Sequence, residues 1–252
     1  MRILIANDDG IDAAGLRALV RVFSEAGHEI TVVAPDGQRS AKSHSITVGS
    51  PISVRPAEVP GACRAWTIGG MPADCVKLAL RTLAPETEFV LSGINHGFNI
   101  GTDVLYSGTV GAAMEAVLDN RPALAVSLGA KSKDYDRAAR IGLSVFNMLQ
   151  ASPLPRFCIA NLNIPETEEI CGLRAVPLCP LWYDDEYKYE RDADGTEYYT
   201  LCGEFSKSIP HGEDDYHMIL RGYATLTIMC YDMAEHEETK KRAEACSSLR
   251  LA

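Results

Sequence analysis

The chain has 252 residues, of which 46 % are hydrophobic and 23 % charged, proportions typical of one large globular domain or a domain with an appendage. Its formal net charge of −10 argues against a surface that binds duplex nucleic acid, which would need a basic patch. No apolar run approaches the ~20 residues that span a bilayer, and the first residues form a strand-like run rather than a signal peptide, so we expect a cytoplasmic protein without membrane contact.

The first part of the chain predicts a β-α-β unit. Residues 2–7 and 29–34 are apolar runs of strand length. Between them, apolar residues recur at helical spacing from Leu16 to Phe23, and Gly27 stops the helix. Neither strand alternates polar and apolar residues, so we expect both faces of the sheet to be covered.

The rest of the chain continues this alternation and then changes character. Further strands are predicted over 89–91, 123–128, 157–162 and 223–229, with extended segments over 46–54 and 65–68. Helices are predicted from Pro72 and over 110–118, 136–149 and 233–249. After about residue 180, tyrosines on both sides of an Asp194-Gly195 turn predict a β-hairpin.

The cysteines carry no motif. No two of them form a C-x-x-C pair, which argues against a structural zinc site. In a cytosolic protein of this size we expect buried thiols rather than redox-active groups. The eight cysteines are Cys63, Cys75, Cys158, Cys171, Cys179, Cys202, Cys230 and Cys246.

The first candidate site is Asn7-Asp8-Asp9-Gly10, directly after the first predicted strand. Open α/β sheets bind ligands beyond the carboxyl ends of their strands. Two adjacent carboxylates repel each other unless a cation or a proton intervenes, and oxygen ligands suit Mg²⁺ or Mn²⁺. The alternative is an Asp-Gly turn followed by a helix cap.

Three common nucleotide and phosphate motifs are absent. No G-x-G-x-x-G follows the first strand, which disfavours a dinucleotide-binding site, and no G-x-x-x-x-G-K-[ST] occurs. The two aspartates also lack the D-x-D spacing of phosphatases that form an aspartyl-phosphate.

Three further segments carry candidate ligands. In SGINHGFNIG, residues 92–101, glycines permit close backbone approach and Asn95 offers a carbonyl oxygen to a hard cation; the alternative is a surface loop. Before the helix at 110, Ser107 and Thr109 offer hydroxyls at an anion-binding helix start, or an ordinary cap. In the loop 39–45, Ser40 offers an oxygen to the metal and His44 can meet phosphate, unless this is a solvated loop.

Taken together, these segments resemble the survival protein E (SurE) family of nucleotidases. The resemblance covers residues 1–130 in order and continues more weakly to about 230. It is carried by the segments NDDGIDAAGLRAL, VVAPDGQRSAKSHSIT, GGMPADCVKLAL, SGINHGFNIGTDVLYSGTVGAAMEA and RGYATLT.

The resemblance implies a Rossmann-like three-layer α/β/α sandwich over residues 1–180. A β-rich extension over 181–252, with a hairpin and a C-terminal helix, would make the contacts of a homodimer or homotetramer. The implied activity is metal-dependent hydrolysis of nucleoside 5′- and 3′-monophosphates, with one divalent cation, Mg²⁺ or Mn²⁺, per subunit.

The resemblance also assigns residues. The metal ligands fall on Asp8, Asp9, Ser40 and Asn95, and the phosphate-binding turn on Ser107, Gly108 and Thr109.

The hypothesis for the reaction is direct attack of water on a phosphomonoester. Asp8 or Asp9 accepts the proton of the water, which the metal activates. Ser107 and its neighbours stabilise charge on the phosphoryl oxygens, and His44 is the candidate acid for the leaving group. A covalent route through Ser107 is the alternative, although no nearby base is evident.

Two other functions use the same residues. A metal-dependent nucleotide sensor would bind its ligand without turnover. A structural oligomer with a vestigial site is disfavoured, because every proposed ligand position holds a competent residue.

Overall fold

The central sheet has nine strands, and a two-stranded hairpin lies apart from it, in a computed structural model that describes residues 1–206 and 208–248. The strands are β1 (Arg2–Ala6), β2 (Glu29–Pro35), β3 (Val54–Pro56), β4 (Arg64–Ile68), β5 (Phe89–His96), β6 (Ala123–Leu128), β7 (Cys158–Ile164), β8 (Leu173–Ala175), β9 (Tyr183–Arg191), β10 (Glu197–Phe205) and β11 (Ala224–Cys230). The helices are α1 (Ala14–Glu25), α2 (Pro72–Leu78), α3 (Gly108–Leu118), α4 (Tyr135–Ala151), α5 (Asp215–Leu220) and α6 (His236–Ser248), with a π-helical turn at Ala79–Leu83 and a 3₁₀ helix at Gly101–Leu105.

The strand order of the central sheet reverses beside β1. The order is β3-β4-β2-β1-β5-β6-β7-β11-β8, and the strands from β4 to β7 are mutually parallel. The chain adds β2 and β4 on one side of β1 and then crosses to add β5 on the other. Ligands of open α/β sheets bind at such a point of reversal.

The side chains of β1 alternate between two cores. Ile3 and Ile5 pack with α1 and α4, whereas Leu4 and Ala6 pack with α2 and α3. All four are at most 1 % exposed, and burying one Leu or Ile side chain contributes roughly 1.5–3 kcal/mol. The predicted three-layer α/β/α architecture is confirmed.

Two predicted segments differ from the observed elements. Of the segment 46–54, only Val54 belongs to a strand. Strand β5 runs on to His96, past the predicted end at residue 91. Gly93 permits this, because its φ is +131° and a β-carbon there would lie 2.3 Å from the Val126 carbonyl oxygen on β6. Asn95 is therefore carried on the strand beside β1 rather than on a loop.

The prediction that the cysteines are buried thiols is wrong for most of them. Cys158 and Cys230 form a disulfide between facing positions of β7 and β11. The pairing was missed because β11 returns beside β7 after a sequence separation of 72 residues. The free thiols are exposed at Cys63, Cys171 and Cys202 and buried at Cys75 and Cys179, and the Cys246 side chain lies outside the described part of the chain.

In the C-terminal third of the chain, some elements belong to the central sheet and others lie outside it. Strand β11 lies inside the central sheet between β7 and β8, so the predicted 181–252 extension shares a strand with the sheet. Strands β9 and β10 pair along their whole length, and Asp194 and Gly195 lie in the turn between them, as predicted. Helix α6 replaces the predicted 233–249 helix, whose residue 249 is outside the described residues. Within the described ranges, no helix has both the length and the apolar character needed to cross a bilayer.

Candidate active site

Two acidic residues lie directly beyond β1, where the strand order reverses. Asp8 is 4 % exposed and Asp9 is half-buried. The backbone N–H of His96, at the end of β5, donates to Asp9 Oδ2 at 3.3 Å. The ends of β1 and β5 therefore lie side by side. This brings the Asn7-Asp8-Asp9 motif next to the segment that carries Asn95.

The Asp8 carboxylate is buried and held in place by α3. Its Oδ1 atom accepts the Thr109 hydroxyl at 2.6 Å, and the Asp8 backbone carbonyl accepts the Arg39 N–H at 2.7 Å. The pKa of Asp8 is raised to about 6, mainly by burial and also by the charge of Asp9, against the lowering effect of the hydrogen bond from Thr109. Burial also raises the pKa of Asp9, against the lowering effect of the His96 N–H. A nearby cation stabilises the charged form of such desolvated carboxylates.

Two further oxygen donors lie on the segments that contact the aspartates. Ser40 follows Arg39 and has an exposed hydroxyl, which accepts from Gln38 Nε2 at 2.9 Å. Asn95 donates from Nδ2 to the Gly97 carbonyl at 2.9 Å, which engages the nitrogen of its amide and leaves the carbonyl oxygen as a ligand. Two carboxylates, a hydroxyl and an amide oxygen are hard donors. This donor set fits Mg²⁺ or Mn²⁺.

The predicted phosphate turn forms the start of α3, against Asp8. Ser107 is the N-cap, and its Oγ atom accepts the Val110 N–H at 3.0 Å. Gly108 packs so closely that a β-carbon there would lie 2.9 Å from Asp8 Cβ. The first N–H groups of a helix lack partners within it and bind anions. Because Thr109 donates its hydroxyl to Asp8, the remaining donors of this turn are the Ser107 hydroxyl and the Gly108 N–H.

His44 lies beside this turn but is bound to an acidic residue of α3. Its Nε2 atom is 2.9 Å from Glu115 Oε2, and Lys77 also pairs with Glu115. Burial acts to raise the pKa of Glu115, but hydrogen bonds from His44 and Lys77 outweigh it and hold the pKa below its usual value. Ser43 Oγ donates to the Leu105 carbonyl at 2.5 Å, which fixes the loop of His44 next to the phosphate turn.

Comparison with known proteins identifies the family. A family model described as "Survival protein SurE" matches residues 3–185. The chain belongs to the SurE family. A 5′-nucleotidase SurE from Synechococcus elongatus is 42 % identical over 248 residues, covering 94 % of this chain and 96 % of that protein. A 5′-nucleotidase SurE from Clostridium botulinum is 41 % identical over 250 residues, covering 96 % of this chain and 98 % of that protein.

A solved structure shows the same architecture. The crystal structure of the SurE protein from Aquifex aeolicus superposes with a TM-score of 0.85 at 29 % identity, covering 98 % of this chain and 100 % of that chain. The span matched by the SurE family model includes every predicted site residue, whereas β10, β11 and α6 lie beyond its end at residue 185.

Sequence reasoning missed a buried amide network behind the SurE site. The Asn99 carbonyl accepts from Asn161 Nδ2 at 2.8 Å and from Asn163 Nδ2 at 2.9 Å, and Asn99 Nδ2 donates to Ser127 Oγ at 2.8 Å. All four residues are at most 5 % exposed. The network holds the segment after Asn95 on the ends of β6 and β7. Two asparagines at alternate positions of an otherwise apolar strand, CIANLNI, were the available signal.

A cavity of about 670 Å³ opens beside the phosphate turn. Ser107 and His44 line one side, and mostly apolar side chains, including Leu105, Met114 and Ile228, line the rest. Small-molecule sites have this size and character. The cavity therefore places an apolar volume next to the candidate phosphate donors.

Proposed function

We propose that this SurE-family protein is a 5′-nucleotidase, a phosphoric monoester hydrolase that cleaves nucleoside 5′-monophosphates to nucleoside and phosphate and also accepts 3′-monophosphates. The observation that carries the proposal is the contact between the desolvated Asp8 carboxylate and the start of α3 at Gly108. It would join a cation site to an anion site, the pairing that a metal-assisted phosphomonoesterase needs. The relatives named 5′-nucleotidase support the same reaction.

Four residues would hold the catalytic metal, one Mg²⁺ or Mn²⁺ ion per subunit: Asp8, Asp9, Ser40 and Asn95. When bound, this ion lowers the pKa of water and polarises a phosphoryl oxygen. Asp9 is the more accessible of the two carboxylates, so we assign it to accept the proton of the attacking water.

The start of α3 and the neighbouring loop would serve the phosphate and the leaving group. The Ser107 hydroxyl and the Gly108 N–H donate to phosphoryl oxygens as their charge develops, where preorganised donors have the largest effect. His44 is the group that we assign to protonate the leaving nucleoside oxygen. Glu115 holds the His44 ring through Nε2, which leaves Nδ1 for the substrate.

The cavity beside Ser107 is the site that we propose for the nucleoside. Its apolar lining would accept a base, which is flat and largely hydrophobic on its faces. Met114 lines this cavity, and Met114→Arg would place a longer, charged side chain in it. It should raise the KM for AMP while leaving the hydrolysis of a small aryl phosphate nearly unchanged, and an equal effect on both substrates would place the nucleoside elsewhere.

Release of inorganic phosphate distinguishes the nucleotidase from the nucleotide sensor. The assay uses a panel of 5′- and 3′-monophosphates, each with Mg²⁺, with Mn²⁺ and with chelator. The nucleotidase predicts metal-dependent turnover of at least the 5′-monophosphates. Tight, metal-dependent nucleotide binding without phosphate release would favour the sensor.

We also propose that the hairpin β9–β10 joins subunits of a homodimer or homotetramer, in the cytoplasm. Its support is exposed aromatic surface: Tyr187 and Tyr199 are 64 % and 61 % exposed. Tyrosine is enriched where a surface is covered by a partner protein.

A further inference from the structure

A second group of metal-ligating side chains lies away from Asp8 and Asp9, where α5 begins. Cys179, Asp214 and His217 bring a sulfur, a carboxylate oxygen and a ring nitrogen within 4.8 Å of one another. They are 2 %, 5 % and 7 % exposed, so all three are more than nine-tenths buried. Among the described residues, no other group of three His, Cys, Asp or Glu converges in this way.

Hydrogen bonds preorganise this group. Asp214 caps α5, where its Oδ1 atom accepts the His217 N–H at 3.0 Å, and its two oxygens lie 2.8 and 2.9 Å from His217 Nδ1. Asp215 accepts the backbone N–H groups of Cys179 at 2.7 Å and Gly101 at 2.9 Å. These bonds occupy the Asp215 carboxylate and tie the segment of Cys179 to the start of α5.

Without a metal ion, the protonated Cys179 thiol is buried beside the Asp214 carboxylate. The Cys179 sulfur lies within 4.8 Å of an Asp214 carboxylate oxygen, and both side chains are buried. The buried thiol proton therefore faces a buried carboxylate. A divalent cation in place of that proton is neutralised by one thiolate and one carboxylate, and a neutral imidazole completes three ligands.

We propose that Cys179, Asp214 and His217 bind a divalent cation of the Zn²⁺ type, separate from the hard-cation site at Asp8 and Asp9. Binding replaces the S–H bond of Cys179 by a sulfur–metal bond and releases one proton to solvent, while His217 keeps its single proton on the ring nitrogen that does not bind the ion. Nothing is oxidised or reduced. Thiolate and imidazole ligands favour Zn²⁺ and Co²⁺ over Mg²⁺.

Such an ion would act as a structural clamp. Because Asp215 bonds to both Cys179 and Gly101, a cation beside Cys179 would fasten the segment that follows Asn99 to α5. The absence of C-x-x-C pairs does not bear on this site, because its ligands are one cysteine and two residues around the start of α5.

Co²⁺ is the probe, since a cobalt–thiolate bond gives an intense near-ultraviolet absorption that oxygen ligands do not give. Titration of the metal-free wild-type chain should produce this band with one Co²⁺ per chain, and Zn²⁺ should abolish it. Cys179→Ala should remove the band. The matched control is Cys75→Ala, which deletes another buried free thiol and should leave the band intact.

Three results would overturn the proposal: no band in the wild-type chain at saturating Co²⁺, an undiminished band in Cys179→Ala, or an unchanged Co²⁺ affinity in folded His217→Gln. That last variant should bind Co²⁺ at least ~10-fold more weakly, and it replaces Cys179→Ala if circular dichroism shows that the alanine variant does not fold. Phosphate release with Mg²⁺ is measured separately, so failure here is distinguishable from failure of the nucleotidase proposal.

Discussion

The aspartate pair beyond β1 and the hairpin β9–β10 violate the usual distribution of polar and apolar groups in opposite directions. Asp8 is a charged group that is 4 % exposed, whereas Tyr187 is an aromatic group that is 64 % exposed. Each arrangement is unfavourable unless something binds, because buried charges need a counter-charge and contiguous exposed apolar surface marks an interaction site. On this comparison we propose a cation as the partner of the first region and a protein surface as the partner of the second.

The pairing of the hairpin sharpens this contrast. Tyr189 faces Tyr199, and Tyr187 faces Leu201, so these four side chains share one face of the two strands. The ring centroids of Tyr189 and Tyr199 are 5.3 Å apart. Along the two strands of the hairpin, only the residues at the base are partly buried, and there the Tyr183 hydroxyl donates to Asp103 at 2.7–2.8 Å.

The largest effect should follow from removing one charge of the aspartate pair. Asp8→Asn or Asp9→Asn should lower AMP hydrolysis on the order of 10³-fold while the fold survives, because each removes the charge of a proposed metal ligand. Steady-state phosphate release and circular dichroism measure the two quantities. Near wild-type turnover in both folded variants would show that the catalytic metal lies elsewhere.

A side chain at residue 108 should nearly match that effect. In Gly108→Val, the added β-carbon would lie 2.9 Å from Asp8 Cβ and 3.0 Å from Pro72 Cγ, which displaces the start of α3 from the aspartates. Loss of an oxyanion donor typically lowers turnover ~10²–10³-fold. Gly37→Val is the control, since no atom lies within 4 Å of a β-carbon there. If Gly108→Val is about as active as the control, the phosphate does not bind at the start of α3.

The raised pKa of Asp8 also predicts that the free energy of unfolding of the metal-free chain depends on pH. Its pKa is raised from 3.8 to about 6, so the folded chain binds this proton more tightly than the unfolded chain does. Proton binding by Asp8 therefore stabilises the folded chain fully below about pH 4, and this contribution is lost as the pH rises through about 6. At pH 8 in chelator, Asp8→Asn should therefore be more stable than wild type by about 2–3 kcal/mol, with the advantage vanishing near pH 4. Urea unfolding at the two pH values checks this, and a pH-independent difference would contradict it.

Thr109→Val should lower activity less than the preceding substitutions do, and added metal should restore that activity. The hydroxyl donates to Asp8 at 2.6 Å and so orients a proposed metal ligand. Loss of such a supporting bond typically weakens metal affinity ~10–100-fold. Activity at low Mn²⁺ should fall by that factor and recover at high Mn²⁺. If saturating metal does not restore activity, the hydroxyl acts on the substrate instead.

Shortening the hairpin should change assembly and leave the chemistry of the site intact. Replacing residues 188–200 by a short Gly/Ser turn removes most of the exposed aromatic face but leaves the Tyr183–Asp103 anchor. Sedimentation should show a lower oligomeric state, with the metal ligands unaltered. The same oligomeric state in both chains would mean that the hairpin does not join subunits.

The contacts of the aspartate pair and the hairpin β9–β10 were not equally predictable from the sequence. The meeting of Asp9 with the segment of Asn95 follows from strand ends that share one edge of a parallel sheet. The bond from Thr109 to Asp8 does not, because it depends on how closely α3 packs at Gly108. For the hairpin, Asp194-Gly195 and the tyrosines on both sides of this turn were sufficient.

Contacts between distant segments explain the other omissions. The Cys158–Cys230 bond depends on a strand that returns after 72 residues. The group around Cys179 depends likewise on α5 docking against a distant loop. Nothing in local sequence periodicity specifies either contact.

The central claim is that a divalent cation on the aspartate pair enables hydrolysis of nucleoside monophosphates. Its most direct test is phosphate release from AMP by the wild-type chain, measured in chelator and again after Mg²⁺ or Mn²⁺ is restored. We predict that release stops in chelator and returns with either ion. Undiminished release in chelator, or no release from any nucleoside monophosphate with metal restored, would contradict the account.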